Sequence, residues 1–165
     1  MHPFLASIKH LCNDINNAAE NINDGGCCVF AAKLGEQLSK FGKVSIRVIG
    51  YEDECGRNIN DIREVVNDNF DVTEWQSNGV SFWHVFIEFK YKRTLYQIDS
   101  TGVYNVNRGQ TLVPKHNALL DGCFAIDEAK QFASTPKGWN RCFDRNKIPL
   151  IEFMMDKFFE DCAKV

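Results

Sequence analysis

Three residues of this chain could act together as a nucleophile and its activators: Cys27, His84 and Asp99. Cys27 follows Gly25-Gly26 and stands where a loop gives way to a helical pattern. Phe30, Leu34, Leu38 and Phe41 recur after it at helical spacing, with Lys33, Gln37 and Lys40 between them. A thiol in the first turn of a helix lies beside free backbone N–H groups and the positive end of the helix dipole, which favours a thiolate. His84 interrupts the most apolar run of the chain, Val80 to Phe89, and a buried strand rarely holds an imidazole without a partner. Asp99 closes the next strand-like run, in Tyr-Gln-Ile-Asp-Ser-Thr-Gly. A hairpin between the two runs would let His84 and Asp99 meet across it. In such a trio the thiol gives its proton to the imidazole, and the carboxylate fixes the tautomer and steadies the imidazolium.

Taken singly, each residue has an ordinary structural reading: a buried cysteine, a hydrogen-bonded core histidine, a turn aspartate. The weight lies in their combination, each in the context the chemistry needs. Cys28 competes with Cys27, but neighbours on a helix point about 100° apart, so only one of them can face His84.

The elements that would position these residues follow from apolar spacing. A first helix is expected over Phe4 to Asn23, with Phe4, Ile8, Leu11, Cys12, Ile15, Ala19 and Ile22 as its stripe and Pro3 in its first turn. Asn21, Asn23, Asp24, Gly25 and Gly26 break it. The second helix begins on Cys27 and stops at Gly42. Val44 to Tyr51 reads as a strand, Glu52 to Asn60 as a loop, Asp61 to Asn67 as a short helix and Asn69 to Gly79 as another loop. Val80 to Phe89, apolar at nearly every position, reads as a strand buried on both faces, with Leu95 to Asp99 as its antiparallel partner. Val103 to Pro114 has room for one more strand. Asp127 to Ser134 is expected to be helical with Asp127 as N-cap, and Ser134 to Trp139 to turn. A last helix runs over Ile148 to Cys162, with Pro149 in its first turn and Ile151, Met154, Met155, Phe158, Phe159 and Cys162 on its apolar stripe.

The 165 residues suit one domain, 1–165, with a real core; 44% are hydrophobic and 25% charged. The net charge of −3 and the lack of any Lys/Arg run argue against a nucleic-acid surface. No stretch is apolar for long enough to be a signal peptide or a membrane span, so a cytoplasmic location with reduced thiols is expected. The seven cysteines form no C-x-x-C pair, and with four histidines no zinc site is expected.

The three motifs together resemble the transglutaminase-like cysteine enzymes of the papain-like group. Gly25-Gly26-Cys27-Cys28-Val29-Phe30-Ala31 is similar to the Gly-x-Cys step that opens the family's nucleophile helix. In the animal transglutaminases Gln stands at the place of Gly26 and Trp at the place of Cys28. Arg47-Val48-Ile49-Gly50-Tyr51, Trp83-His84-Val85-Phe86-Ile87-Glu88 and Asp99-Ser100-Thr101 follow in the family's order, so the resemblance covers roughly residues 25–102, with 103–165 as a C-terminal extension. It implies an α+β fold with a papain-like core. The nucleophile would open a central helix packed on an antiparallel sheet, with extra helices at both termini. It also implies Cys27 as nucleophile rather than Cys28, His84 as base and Asp99 as its orienter. No Trp precedes Cys27 to serve the oxyanion hole as in the animal enzymes. The Cys27 N–H is one donor, Asn21 and Asn23 are candidates for the second, and Trp83 and Trp75 could wall the acyl pocket. The acidic residues make no EF-hand spacing, and no cofactor or metal is implied.

The expected reaction is thioester chemistry on a carboxamide or peptide bond of a protein or peptide substrate. Hydrolysis by a protease or deamidase is the first expectation, because the chain is small and has no evident second domain to bind an acceptor. Transamidation, a non-catalytic binding module of the same fold, and an acyltransferase of the arylamine acetyltransferase type are the alternatives.

Overall fold

Helix α1 spans Pro3–Ala18, and His2 caps it through Nδ1, which accepts from the Phe4 N–H at 3.3 Å. The structure, a computed structural model, describes residues 2–20, 22–23, 25–52, 80–115, 119–134 and 143–163. Leu5, Ile8, Leu11, Cys12 and Ile15 are the buried face of α1, with Leu5 taking the place expected for the half-buried Phe4. The helix ends five residues before the expected Asn23, since Ala19 leaves helical geometry at φ −121°, ψ 88°. Ala19 and Ile22 are still buried, so apolar spacing outlasts the helix. Asparagine side chains compete with a helix by bonding locally to the backbone, and this segment is rich in them.

Helix α2, Cys27–Leu38, has Gly26 as N-cap. Nine of its twelve residues are buried, including Cys28, Val29, Ala31 and Ala32 outside the expected Phe30–Leu34–Leu38 stripe. A helix apolar on most sides is one enclosed by neighbours. Phe41, expected on its stripe, lies beyond the helix end, 44% exposed, and packs its ring at a tilt against Phe4 and Phe159.

The sheet has five antiparallel strands in the order β4-β3-β2-β1-β5. Strand β1 is Lys43–Glu52, β2 Val80–Tyr91, β3 Thr94–Asp99, β4 Gly102–Asn105 and β5 Leu119–Phe124. As the apolar run predicts, β2 is buried on both parities: Val85, Phe86, Ile87 and Phe89 are each at most 1% exposed. Gly35 of α2 lies against Val44, Ile46 and Ile87, which fixes the parity that faces the helix. On the opposite parity, Arg47 Nη1 donates to Glu88 at 3.0 Å and Nη2 donates to Asp121, while Gln97 donates to Glu88 at 3.2 Å. This network ties four strands together and holds β2 and β3 in register.

Strands β2 and β3 join through a two-residue turn, Lys92-Arg93, both with positive φ (49° and 78°). That conformation suits a hairpin's twist but disfavours side chains other than Gly, Asn and Asp. Replacing the pair with Asn-Gly is therefore expected to raise stability by about 1 kcal/mol. Urea unfolding with an unchanged slope and a higher midpoint would show it; a lower midpoint would refute it.

Strand β5 is absent from the apolar reading, since Asp121 and Gly122 interrupt its alternation, and it forms by pairing on the free edge of β1. The extra strand expected after Val103 exists only as the short β4, which ends in a 3₁₀ turn at Val106–Arg108. Helix α3 spans Ile126–Ser134. Its start lies one residue before the expected one, so Asp127 is in the first turn and does not cap it. Ala125 takes the cap position, accepting from Ala129 N–H, and Glu128 reaches back to accept from Ala125 N–H at 2.8 Å. Helix α4 spans Ile148–Cys162, as expected, with Ile151, Met155 and Phe159 buried. The readings over 53–79 and 135–139 lie outside the described residues. Among the described residues, no helix is long and apolar enough to cross a membrane.

Candidate active site

Cys27 is the first residue of α2, and the helix itself provides no acceptor for the N–H groups of Cys27, Cys28 and Val29. Phe30 N–H is the first to be satisfied, by Gly26 C=O at 3.1 Å. Gly26 is packed too closely for a side chain: a Cβ there would stand 2.8 Å from the Ile22 carbonyl oxygen and 2.9 Å from the Phe143 ring. The turn that presents Cys27 is thus clamped between the end of the α1 connection and a residue from the far end of the chain.

The two cysteines diverge. Cys28 Sγ donates to the Ala129 carbonyl of α3 at 3.6 Å, and burial pushes its thiol well above the ordinary range. Cys27 instead hydrogen-bonds to the imidazole of His84. On the other side of that ring, Nε2 meets Asp99 Oδ2 at 3.0 Å, which leaves Nδ1 as the nitrogen for the thiol. Cys27, His84 and Asp99 are therefore brought together in the expected order.

A fault in strand pairing places the histidine. Ile49 pairs with His84 but Gly50 pairs with Phe82, so Trp83 is an extra residue in β2, a bulge one position before His84. Bulges re-aim the side chains beside them. The β2–β3 register pairs Ile87 with Ile98, so continuing it puts Asp99 opposite Phe86, and His84 reaches Asp99 on the diagonal rather than directly across. The Asp99 side chain is also a turn residue. Oδ1 accepts from Thr101 N–H at 2.8 Å and from Thr101 Oγ1 at 2.6 Å, leaving Oδ2 for His84. With the Thr101 hydroxyl proton committed to Asp99, Tyr104 O–H donates to Thr101 Oγ1 at 2.6 Å.

Burial opposes charge on His84, but the hydrogen bonds to Asp99 and Cys27 outweigh it and raise the imidazole to about 9. Burial likewise opposes charge on Asp99, and the bonds from His84 and Thr101 prevail, holding its carboxyl below the usual range. The pair is charged at neutral pH. It is also enclosed: Cys27 is 1%, Asp99 3% and His84 8% exposed.

Helix α1 contributes two neighbours that apolar spacing did not single out for the site. Cys12, its thiol pushed far up by burial and by the nearby Asp99 charge, stands beside the carboxylate, and Asn16 accepts from Ser100 Oγ at 3.2 Å. Asn23 is half-buried, and its Oδ1 is buried with no hydrogen-bond partner among the described residues. In that orientation it presents an acceptor; turning the amide over would present the donor an oxyanion needs. Trp83 is placed as the bulge residue, while Asn21 and Trp75 lie outside the described residues. Compared with known proteins, this chain matches no family model, no curated protein and no solved structure.

Proposed function

We propose that this chain is a cysteine hydrolase or acyltransferase of the transglutaminase-like kind, acting on a carboxamide or peptide bond through a Cys27 thioester. The observation that carries this reading is one imidazole engaged by the Cys27 thiol on one side and the Asp99 carboxylate on the other. The helix that opens on the thiol, packed on an antiparallel sheet whose neighbouring strands supply His and then Asp, supports a papain-like core.

The thiol proton rests on His84 Nδ1 as part of the imidazolium, and Sγ attacks the carbonyl carbon, forming the C–S bond and an oxyanion. The Cys27 N–H donates to that oxyanion, with Asn21 or Asn23 as the second donor. The intermediate collapses as the C–N bond breaks, and imidazolium hands its proton to the departing ammonia or amine. His84 then deprotonates a water that attacks the thioester; the acid leaves and the thiol is restored. An amine in place of that water gives transamidation. Trp83, next to His84, is the candidate wall of the acyl pocket.

Mass spectrometry of lysate proteins incubated with wild type and with Cys27→Ala tests the reading. Only the wild type should produce a change: a gain of about 1 Da on Gln or Asn for deamidation, new termini for proteolysis, or joined peptides for transamidation. Identical digests, with the biological effect intact in the variant, would instead favour a binding module.

A further inference from the structure

The carboxylate of Asp99 receives more hydrogen bonds than its turn requires. An aspartate that closes a strand needs only the N–H two residues on, and Thr101 N–H supplies it at 2.8 Å. The Thr101 hydroxyl adds a second donor to the same oxygen, Oδ1, at 2.6 Å, and the Tyr104 hydroxyl stands 2.6 Å behind it. The β3–β4 register pairs Asp99 with Gly102 and Gln97 with Tyr104, which sets Tyr104 on the diagonal from Asp99.

Each hydroxyl carries one proton. A carboxylate can only accept, so the Thr101 proton points to Asp99, and Thr101 Oγ1 is left to accept from Tyr104. The three groups form a directed chain in which each bond polarises the next. It runs from Tyr104, half-buried, and Thr101, exposed, to a carboxylate that is 3% exposed.

We propose that Thr101 is a positioning residue of the site and that Tyr104 acts through it. Thr101 holds Oδ1 by two bonds, so the carboxylate cannot turn and Oδ2 stays on His84 Nε2 at 3.0 Å. Tyr104 fixes the direction of the Thr101 hydroxyl. Two donors on one oxygen also favour the ionised carboxyl, against the burial that opposes it. Among the described residues, the other titratable groups facing Asp99 are His84 from β2 and Cys12 from α1, and Lys9 of α1 lies along Gly102. The catalytic consequence rests on the thioester reading; the positioning itself does not.

The test is urea unfolding of the full-length chain and its variants between about pH 7 and pH 3. At neutral pH Thr101→Val, which keeps the shape and the N–H, should lower the folding equilibrium constant about tenfold or more. Tyr104→Phe should lower it about threefold, and Thr101→Ser, which keeps the hydroxyl, should stay within about threefold of wild type. These bonds serve the ionised carboxyl. The gap between wild type and Thr101→Val is therefore present above the carboxyl's ordinary range and closes as pH falls through the depressed folded value. Lost packing alone would give a gap that pH does not move. The double variant Thr101→Val/Tyr104→Phe should be no weaker than Thr101→Val alone, since Tyr104 works only through that hydroxyl. A pH-independent gap, a Thr101→Ser variant as weak as Thr101→Val, or full additivity in the double variant would each overturn the proposal, and none of these bears on the thiol. An unreactive Cys27 in a protein that shows these gaps would instead end the thioester reading and leave the positioning standing.

Discussion

Cys27→Ala is expected to remove the lysate modifications entirely, a loss of about 10⁴-fold or more, whereas Cys28→Ala keeps the reaction within about tenfold of wild type. The asymmetry follows from what each thiol touches. Cys28 is bonded to the Ala129 carbonyl and its thiol is driven up by burial, so it is fixed as packing. Its loss empties a small space between α2 and α3 and costs about 1–2 kcal/mol of stability. Cys27 alone of the pair is bonded to an imidazole. Peptide mapping after alkylation of the native protein reads the same distinction. Among the buried cysteines 12, 27 and 28, Cys27 should be labelled first, and His84→Ala should slow that labelling. Preferential labelling of Cys28, or activity surviving in Cys27→Ala, would end the nucleophile assignment.

The second large effect belongs to Asp99→Asn, a change of one heavy atom. Thr101 N–H can only donate, so the asparagine must keep its oxygen there and turn its NH₂ toward His84 Nε2. Nε2 then has to accept, and the ring proton moves to Nδ1, the nitrogen that should receive the thiol's proton. The wrong tautomer costs activity about 10⁴-fold where such an exchange removes a triad carboxylate. Stability should change as well, with a definite pH signature. His84 is held at about 9 in the fold against an ordinary value of 6.5. A raised histidine stabilises the fold fully below its unfolded value and loses that contribution as pH climbs through the folded one. Wild type should therefore lose on the order of 3 kcal/mol between roughly pH 6.5 and 9. Asp99, held low, adds the acid limb: the same ion pair is present above the unfolded carboxyl's range and lost as pH falls through the depressed value. Urea unfolding along a pH series should show this plateau in wild type and flatten it in Asp99→Asn. A wild-type profile with no fall on the alkaline side would mean that the pair is not charged in the fold.

The parts of this arrangement that depend on local periodicity were legible in the chain. The break at Gly25-Gly26, the start of α2 on Cys27, the doubly buried β2 and its hairpin partner all follow from apolar spacing and turn residues. Helix α4 was equally clear, because its stripe is long and Pro149 marks its first turn. What was not legible depends on pairing at a distance. Strand β5 has little apolar alternation of its own and exists because the edge of β1 accepts it. The enclosure of α2 comes from α3 and α4 docking on its second face, which a single stripe does not reveal. At the site, the three principal residues could be named from type and context, but the diagonal approach of His84 to Asp99 depends on a bulge that no residue at Trp83 announces. Cys12 and Asn16 escape for the same reason, since only the docking of α1 brings them to the Asp99 turn.

The contact between Gly26 and Phe143 sets a condition on how this chain can vary. The two positions lie far apart in sequence and yet share one small volume, since a single added carbon at 26 would meet both the Phe143 ring and the Ile22 carbonyl. A glutamine there is closed to it unless position 143 becomes smaller and the backbone at Ile22 also gives way. A smaller residue at 143 alone leaves the Ile22 carbonyl in place, so a side chain at 26 requires the backbone before it to move as well. The residue before Cys27 is held to glycine from both sides, by the Ile22 carbonyl and by the Phe143 ring.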